Sequence, residues 1–132
     1  MTVSRETSLS LFAIATALLL AAIAPAQARW VAIDGDTIRE TETGERVRLE
    51  NVDSPEIHGR CPSEIEMALR AKAMTGWLLQ QGIVIHRWAR RDKYGRTIAR
   101  VEIIGVGDLG EQLIAAGLGR PYHGGRRQGW CE

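Results

Sequence analysis

Trp30-Val31-Ala32-Ile33-Asp34-Gly35-Asp36-Thr37-Ile38 is the stretch on which the architecture turns. Two short apolar, β-branched runs flank an Asp-Gly pair, the dipeptide that favours tight hairpins, so the segment predicts two antiparallel strands. Further along, Val47, Leu49 and Asn51 alternate with Arg48 and Glu50. That period of two predicts a third strand, with Arg48 on the face opposite its apolar neighbours. Ile83-Val84-Ile85 and Ile98 to Ile103 predict two more strands, joined as a hairpin by the polar, glycine-containing segment Arg90 to Arg96.

Between these strands, Pro62 stands at a first helical position, and Ile65, Leu69, Ala73, Trp77 and Leu78 recur at helical spacing until Gly82. This predicts an amphipathic helix whose apolar stripe runs through those residues. Asp108 followed by Glu111 has the pattern of a helix start, and Leu113, Ile114 and Leu118 extend it to the Gly117 and Gly119 break. Five strands around one central helix predict an α+β, mainly β fold, a small closed barrel with helices rather than a sandwich or a βαβ sheet. Trp30, Trp77 and Trp88 fall on apolar periodic segments and are expected in the core.

At 132 residues the chain has room for one domain. Its first 28 residues read as an export signal: Arg5 in a short basic region, an apolar run from Leu9 to Ile23, and a small-x-small Ala26-Gln27-Ala28 site. Pro25 ends the run short of the roughly 20 apolar residues a membrane span needs. Cleavage after Ala28 would release residues 29–132 to the periplasm or the medium without a stable membrane attachment. Cys61 and Cys131 both lie beyond the signal, so an exported chain is expected to join them, closing a loop of about 70 residues worth ~3–4 kcal/mol. Two buried free thiols are the alternative, because pairing does not follow from sequence.

The formal net charge of +1 says little about partners, but its distribution says more. Residues 34–56 hold eight acids against three arginines, whereas residues 87–100 hold six bases against Asp92 alone. An acidic patch beside a basic one suits a cation site next to a phosphate site, although ordinary solvated charge would look the same. His58, His86 and His123 are scattered without zinc-type spacing. Residues 121–132, with Gly124-Gly125 and Arg126-Arg127, read as a basic tail pinned by Cys131.

Taken singly, Asp36 and Asp53 are explained by turn chemistry, Arg48 by an ion pair with a neighbouring acid, and Arg96 by a solvated hairpin. Taken together, Asp34-Gly35-Asp36-Thr37, Val47-Arg48-Leu49, Asp53-Ser54-Pro55-Glu56 and Asp92-Lys93-Tyr94-Gly95-Arg96 resemble, in order and spacing, the staphylococcal nuclease family. The resemblance runs from about Trp30 to Tyr122. It implies a five-stranded OB-fold barrel with two or three helices and a Ca2+-dependent hydrolysis of DNA or RNA that leaves 3′-phosphates.

By the same resemblance, Asp36 and Asp53 would hold Ca2+ through side-chain oxygens and Ser54 through its carbonyl. The family usually has threonine at the Ser54 position, a small departure where only the main-chain oxygen coordinates. Glu56 would orient the attacking water, and Arg48 and Arg96 would clamp the scissile phosphate. Lys93, Tyr94 and Tyr122 match substrate-side positions, a cation and rings able to meet a phosphate and a nucleoside. Nucleic acid is thus the expected partner of a monomeric enzyme. The rival reading is an OB-fold module that binds single strands without cutting, yet such a module gains nothing from acids that repel its ligand. A third, an exported protein-binding domain, leaves the grouping of acids and arginines as coincidence.

Overall fold

In the computed structural model, which describes residues 29–132, Gly35 carries the turn between β1 (Trp30–Asp34) and β2 (Thr37–Glu40). The export segment lies outside the described residues. Gly44, at φ 74°, lets the chain return as β3 (Arg46–Leu49), antiparallel to β2. After β4 (Val52–Asp53) comes α1 (Pro62–Leu79), then the hairpin of β5 (Ile83–Arg91) and β6 (Thr97–Ile103). The short β7 (Gly107–Asp108), α2 (Leu109–Ala115) and β8 (Arg120–Pro121) complete the order.

The result is an α+β fold whose mixed sheet runs β1-β2-β3-β6-β5, with β7 also on β6 and β4 paired separately to β8. The parallel β3–β6 pairing brings Arg48 opposite Ile98, so the middle of the first sheet unit meets the end of the hairpin that carries Arg96. Along β6, Thr97, Ala99, Val101 and Ile103 are buried while Arg100 and Glu102 are exposed, the alternation expected of a strand with one face on the core. Ile38, Val47, Leu49, Leu109 and Leu113 close that core. Asp108 caps α2 by accepting from the Glu111 amide at 2.9 Å, as its sequence predicts.

The expected stripe of α1 is corrected. Ile65, Leu69 and Trp77 are exposed, and the face turned inward is Glu64, Ala68, Ala71, Thr75, Leu78 and Leu79. Where α1 passes the β1–β2 turn the approach is close, a Cβ on Gly35 lying 2.7 Å from the Ala71 Cβ, so the helix presents alanine there. Trp77 and Trp88 therefore do not sit in the core, being 65% and 54% exposed, whereas Trp30 packs against it. Trp88 leaves the core because the β5–β6 register shifts between Arg87 and Arg91, where β5 splays outward.

Cys61, the residue before α1, is bonded to Cys131, so the last residues of the chain are fastened beside the start of the helix. Among the described residues no helix is long and apolar enough to cross a membrane.

Candidate functional site

Asp34-Gly35-Asp36 is fixed from three sides. The Thr75 hydroxyl of α1 donates to the Gly35 carbonyl at 2.7 Å, the Leu49 amide to the Asp36 carbonyl at 2.9 Å, and the Ser54 amide to Asp36 Oδ2 at 2.9 Å. A side chain at residue 35 would also strike Ser54 Oγ at 2.7 Å, so glycine lets α1, the turn and the β4 loop meet. The consequence is that Asp36, in the β1–β2 turn, and Asp53, in β4, each 5% exposed, are brought to one place.

Arg48 links them. Its Nη2 lies 3.2 Å from Asp36 Oδ2 and 3.5 Å from Asp53 Oδ1, and its Nη1 donates to the carbonyls of Leu49 and of Val52, the latter at 2.7 Å. The predicted strand face for Arg48 is therefore buried as well, with Val47 and Leu49 on the core and the guanidinium on the acids. The ion pair expected of Arg48 with neighbouring acids is thus made with Asp36 and Asp53.

Past Asp53, Pro55 keeps the chain extended and the loop ends on Glu56. Glu64 fastens that loop: buried in the first turn of α1, it accepts from the Arg60 amide at 2.8 Å and the Glu56 amide at 3.4 Å. Sequence reasoning overlooked Glu64, although an acid in the first helical turn after Pro62 is a recognisable capping signal.

On the other side, Asp92 organises the β5–β6 turn by accepting from the amides of Tyr94 at 2.9 Å and Arg96 at 3.0 Å, with Gly95 at φ 74°. The same carboxylate holds Arg96 Nε at 2.6 Å, which aims the guanidinium back toward Thr37 Oγ1 at 3.4 Å. Tyr94 lies under both Lys93 and Arg96, at 5.0 and 5.3 Å from ring centre to cation, and Tyr122 lies under Arg48 at 5.6 Å.

Two clefts meet along this line. One, of about 500 Å³, is lined by Asp34, Asp36, Arg46, Glu56, Tyr94, Arg96 and Arg127. The other, of about 570 Å³, runs past Arg48, Trp88, Lys93, Tyr94, Arg96 and Tyr122. Tyr94, Arg96 and Arg127 border both, so an anion in the basic cleft reaches the acids without leaving the groove. Every residue singled out from the sequence for an ion, the reaction or the substrate thus borders these clefts or the buried Asp36–Arg48–Asp53 link, while Cys61 and Cys131 form the disulfide beside it. Two the sequence reading left without a role, Asp34 and Arg127, join them.

The acids suit a cation. Asp34 Oδ1 is buried without a partner among the described residues. Burial first, and then the negative charges of Asp36 and Glu56, push the Asp34 carboxyl up to about 7. Carboxylate oxygens are the hard donors that Ca2+ takes in preference to Zn2+, and among the described residues no histidine or cysteine lines this cleft.

Compared with curated proteins, the chain has no match. The model of the family described as staphylococcal nuclease homologue matches residues 46–129, more than half of the chain, including Arg48, Asp53, Glu56, Arg96 and Arg127. Asp34 and Asp36 precede the matched segment and are joined to it by the contacts above. The chain therefore belongs to the staphylococcal nuclease homologues, a nuclease family.

Proposed function

We propose that the protein is an exported, Ca2+-dependent phosphodiesterase that hydrolyses DNA or RNA to 3′-phosphate products by in-line attack of water. The observation that carries the reading is the convergence of Asp36 and Asp53 on one guanidinium, Arg48, beside a cleft that also holds Glu56 and Arg96. A chain built only to bind nucleic acid would not collect carboxylates there.

The Asp36 and Asp53 side chains and the Ser54 carbonyl would hold the ion, which supplies positive charge where the phosphate becomes more negative. Glu56, braced through its amide by Glu64, takes the proton side of the attacking water. Arg96, braced by Asp92, offers its planar fork to the equatorial oxygens of the phosphate, where a lysine would deliver only a point charge. Arg48 supplies a second guanidinium from the buried side. Tyr94 and Lys93, with Tyr122 across the cleft, seat the nucleoside and the flanking phosphate. Cleavage of the leader after Ala28, a monomeric state and a periplasmic or secreted location belong to the same reading. The signal pattern and the Cys61–Cys131 bond of an oxidising compartment support it.

The test uses supercoiled plasmid and a single-stranded RNA, in calcium and in excess EGTA, with Glu56→Gln beside the parent protein. Cutting confined to the calcium arm and lost by the variant is expected. Undiminished cutting in every arm refutes the mechanism, and strand retention without cutting in any arm leaves a binding module.

A further inference from the structure

The tail brings one more guanidinium to the acids. Arg127 Nη1 lies 2.6 Å from Glu56 Oε1 and 3.1 Å from Asp53 Oδ1. Both oxygens belong to carboxylates that the proposed reaction needs, one for the ion and one for the water. Arg48 already lies 3.5 Å from that Asp53 oxygen, so a cation taking it at about 2.3–2.6 Å would meet a second guanidinium as well, and the added positive charge opposes it.

The contact is built rather than incidental. Trp130 Nε1 donates to the other oxygen of Asp53, Oδ2, at 3.3 Å. Arg120, next to Asp53 in the β4–β8 pair, stacks on the Trp130 ring at 3.7 Å and donates to the Gly129 carbonyl at 2.7 Å. Four residues beyond Arg127, Cys131 is bonded to Cys61, at the end of the loop that carries Glu56. The disulfide therefore joins the two sides of the contact and keeps Arg127 at high effective concentration over the acids. Arg127 itself is 47% exposed and follows two glycines at positive φ, Gly124 and Gly125, so it can swing away while Trp130 and Cys131 stay anchored.

We propose that Arg127 is a tethered counter-cation of the site, which neutralises Asp53 and Glu56 and which a divalent cation must displace before it can occupy Asp53. This rests on the calcium reading above. The tail thereby sets the calcium concentration at which the enzyme becomes active, raising it above what the acids alone would require. Displaced from the acids, the guanidinium remains on the wall shared by the two clefts, where it meets the incoming phosphate.

Calcium binding by calorimetry, without nucleic acid, tests it on the parent protein, Arg127→Ala, Arg127→Lys and the double variant Cys61→Ser/Cys131→Ser. Arg127→Ala is expected to bind calcium about fivefold more tightly or better at low salt, and the gap should narrow as salt rises. Arg127→Lys should stay nearer the parent, and the cysteine variant should move toward Arg127→Ala. Equal or weaker binding by Arg127→Ala, with its thermal midpoint preserved, overturns the proposal while leaving the calcium reading intact. Absence of calcium binding from every protein in the series overturns the calcium reading and the tether together.

Discussion

The two ends of the β1–β2 hairpin treat a carboxylate in opposite ways. At one end Glu40 is saturated: it accepts from the Thr43 hydroxyl at 2.6 Å, the Thr43 amide at 2.5 Å, the Glu42 amide at 3.1 Å and Arg29 Nε at 3.2 Å. Those hydrogen bonds, the Thr43 hydroxyl foremost, hold its carboxyl down to about 2. At the other end Asp34 is half-buried near Asp36 and Glu56 with its Oδ1 enclosed and unpartnered, and is pushed up to about 7. Six residues apart in one hairpin, Glu40 gathers four donors where Asp34 Oδ1 has none. That contrast separates an acid that shapes the hairpin from one that faces other acids, the side on which the proposed cation would bind.

The sharpest way to break the contrast is at Arg96. It belongs to the functional end through Thr37, yet its side chain is partly exposed and its bracing partner, Asp92, is in its own turn. Arg96→Ala is expected to lower turnover on the order of a thousandfold, the loss of one guanidinium that meets charge developing in the transition state. The thermal midpoint should barely move. Near-normal turnover in a steady-state cleavage assay would remove Arg96 from the site and leave it as a hairpin residue.

Arg48 tests whether the functional end is also held together electrostatically. It is buried, and its removal leaves Asp36 without its guanidinium partner and Asp53 with Arg127 alone. Arg48→Ala in EGTA is expected to cost about 3–5 kcal/mol of unfolding free energy in a denaturant titration, the usual penalty for stranding buried charge. Calcium should restore part of that loss, because it binds only the folded arrangement. A variant as stable as the parent, with no response to calcium, would mean that the acids relax apart and do not form a cation site.

Much of this was legible because it is local. The Asp-Gly turn, the alternation that puts Arg48 opposite the core, the Asp108 cap and the Asp92-to-Arg96 turn each depend on residues a few positions apart. What escaped depends on distance. Hydrophobic spacing puts Ile65, Leu69, Ala73, Trp77 and Leu78 on the inward face of α1, but of these only Leu78 is buried, and the face is set in part by Ala71, which meets Gly35 across 36 residues. Trp88 follows apolar residues in β5, yet the register shift that exposes it arises in pairing with β6. Arg127 meets Glu56 across 71 residues from a tail without periodicity, and only its enclosure by Cys131 hinted that the tail returns to the body.

Glu40 gives the gentlest test, at the satisfied end. Glu40→Gln keeps the size of the side chain but removes the charge that its donors hold below the ordinary carboxylate range. Because the folded value, about 2, lies under the ordinary 4.5, the stabilisation is present above about 4.5 and is lost as pH falls through about 2. Thermal unfolding across pH should therefore find the variant less stable than the parent at neutral pH, with the two curves converging in strong acid. Phosphodiester cleavage at neutral pH and moderate temperature should be unchanged, since the β2–β3 turn borders neither cleft. A midpoint difference that stays constant from neutral to strong acid would trace the loss to packing of the amide. One accompanied by lost cleavage would tie Glu40 to the functional end and dissolve the distinction between the two ends of the hairpin.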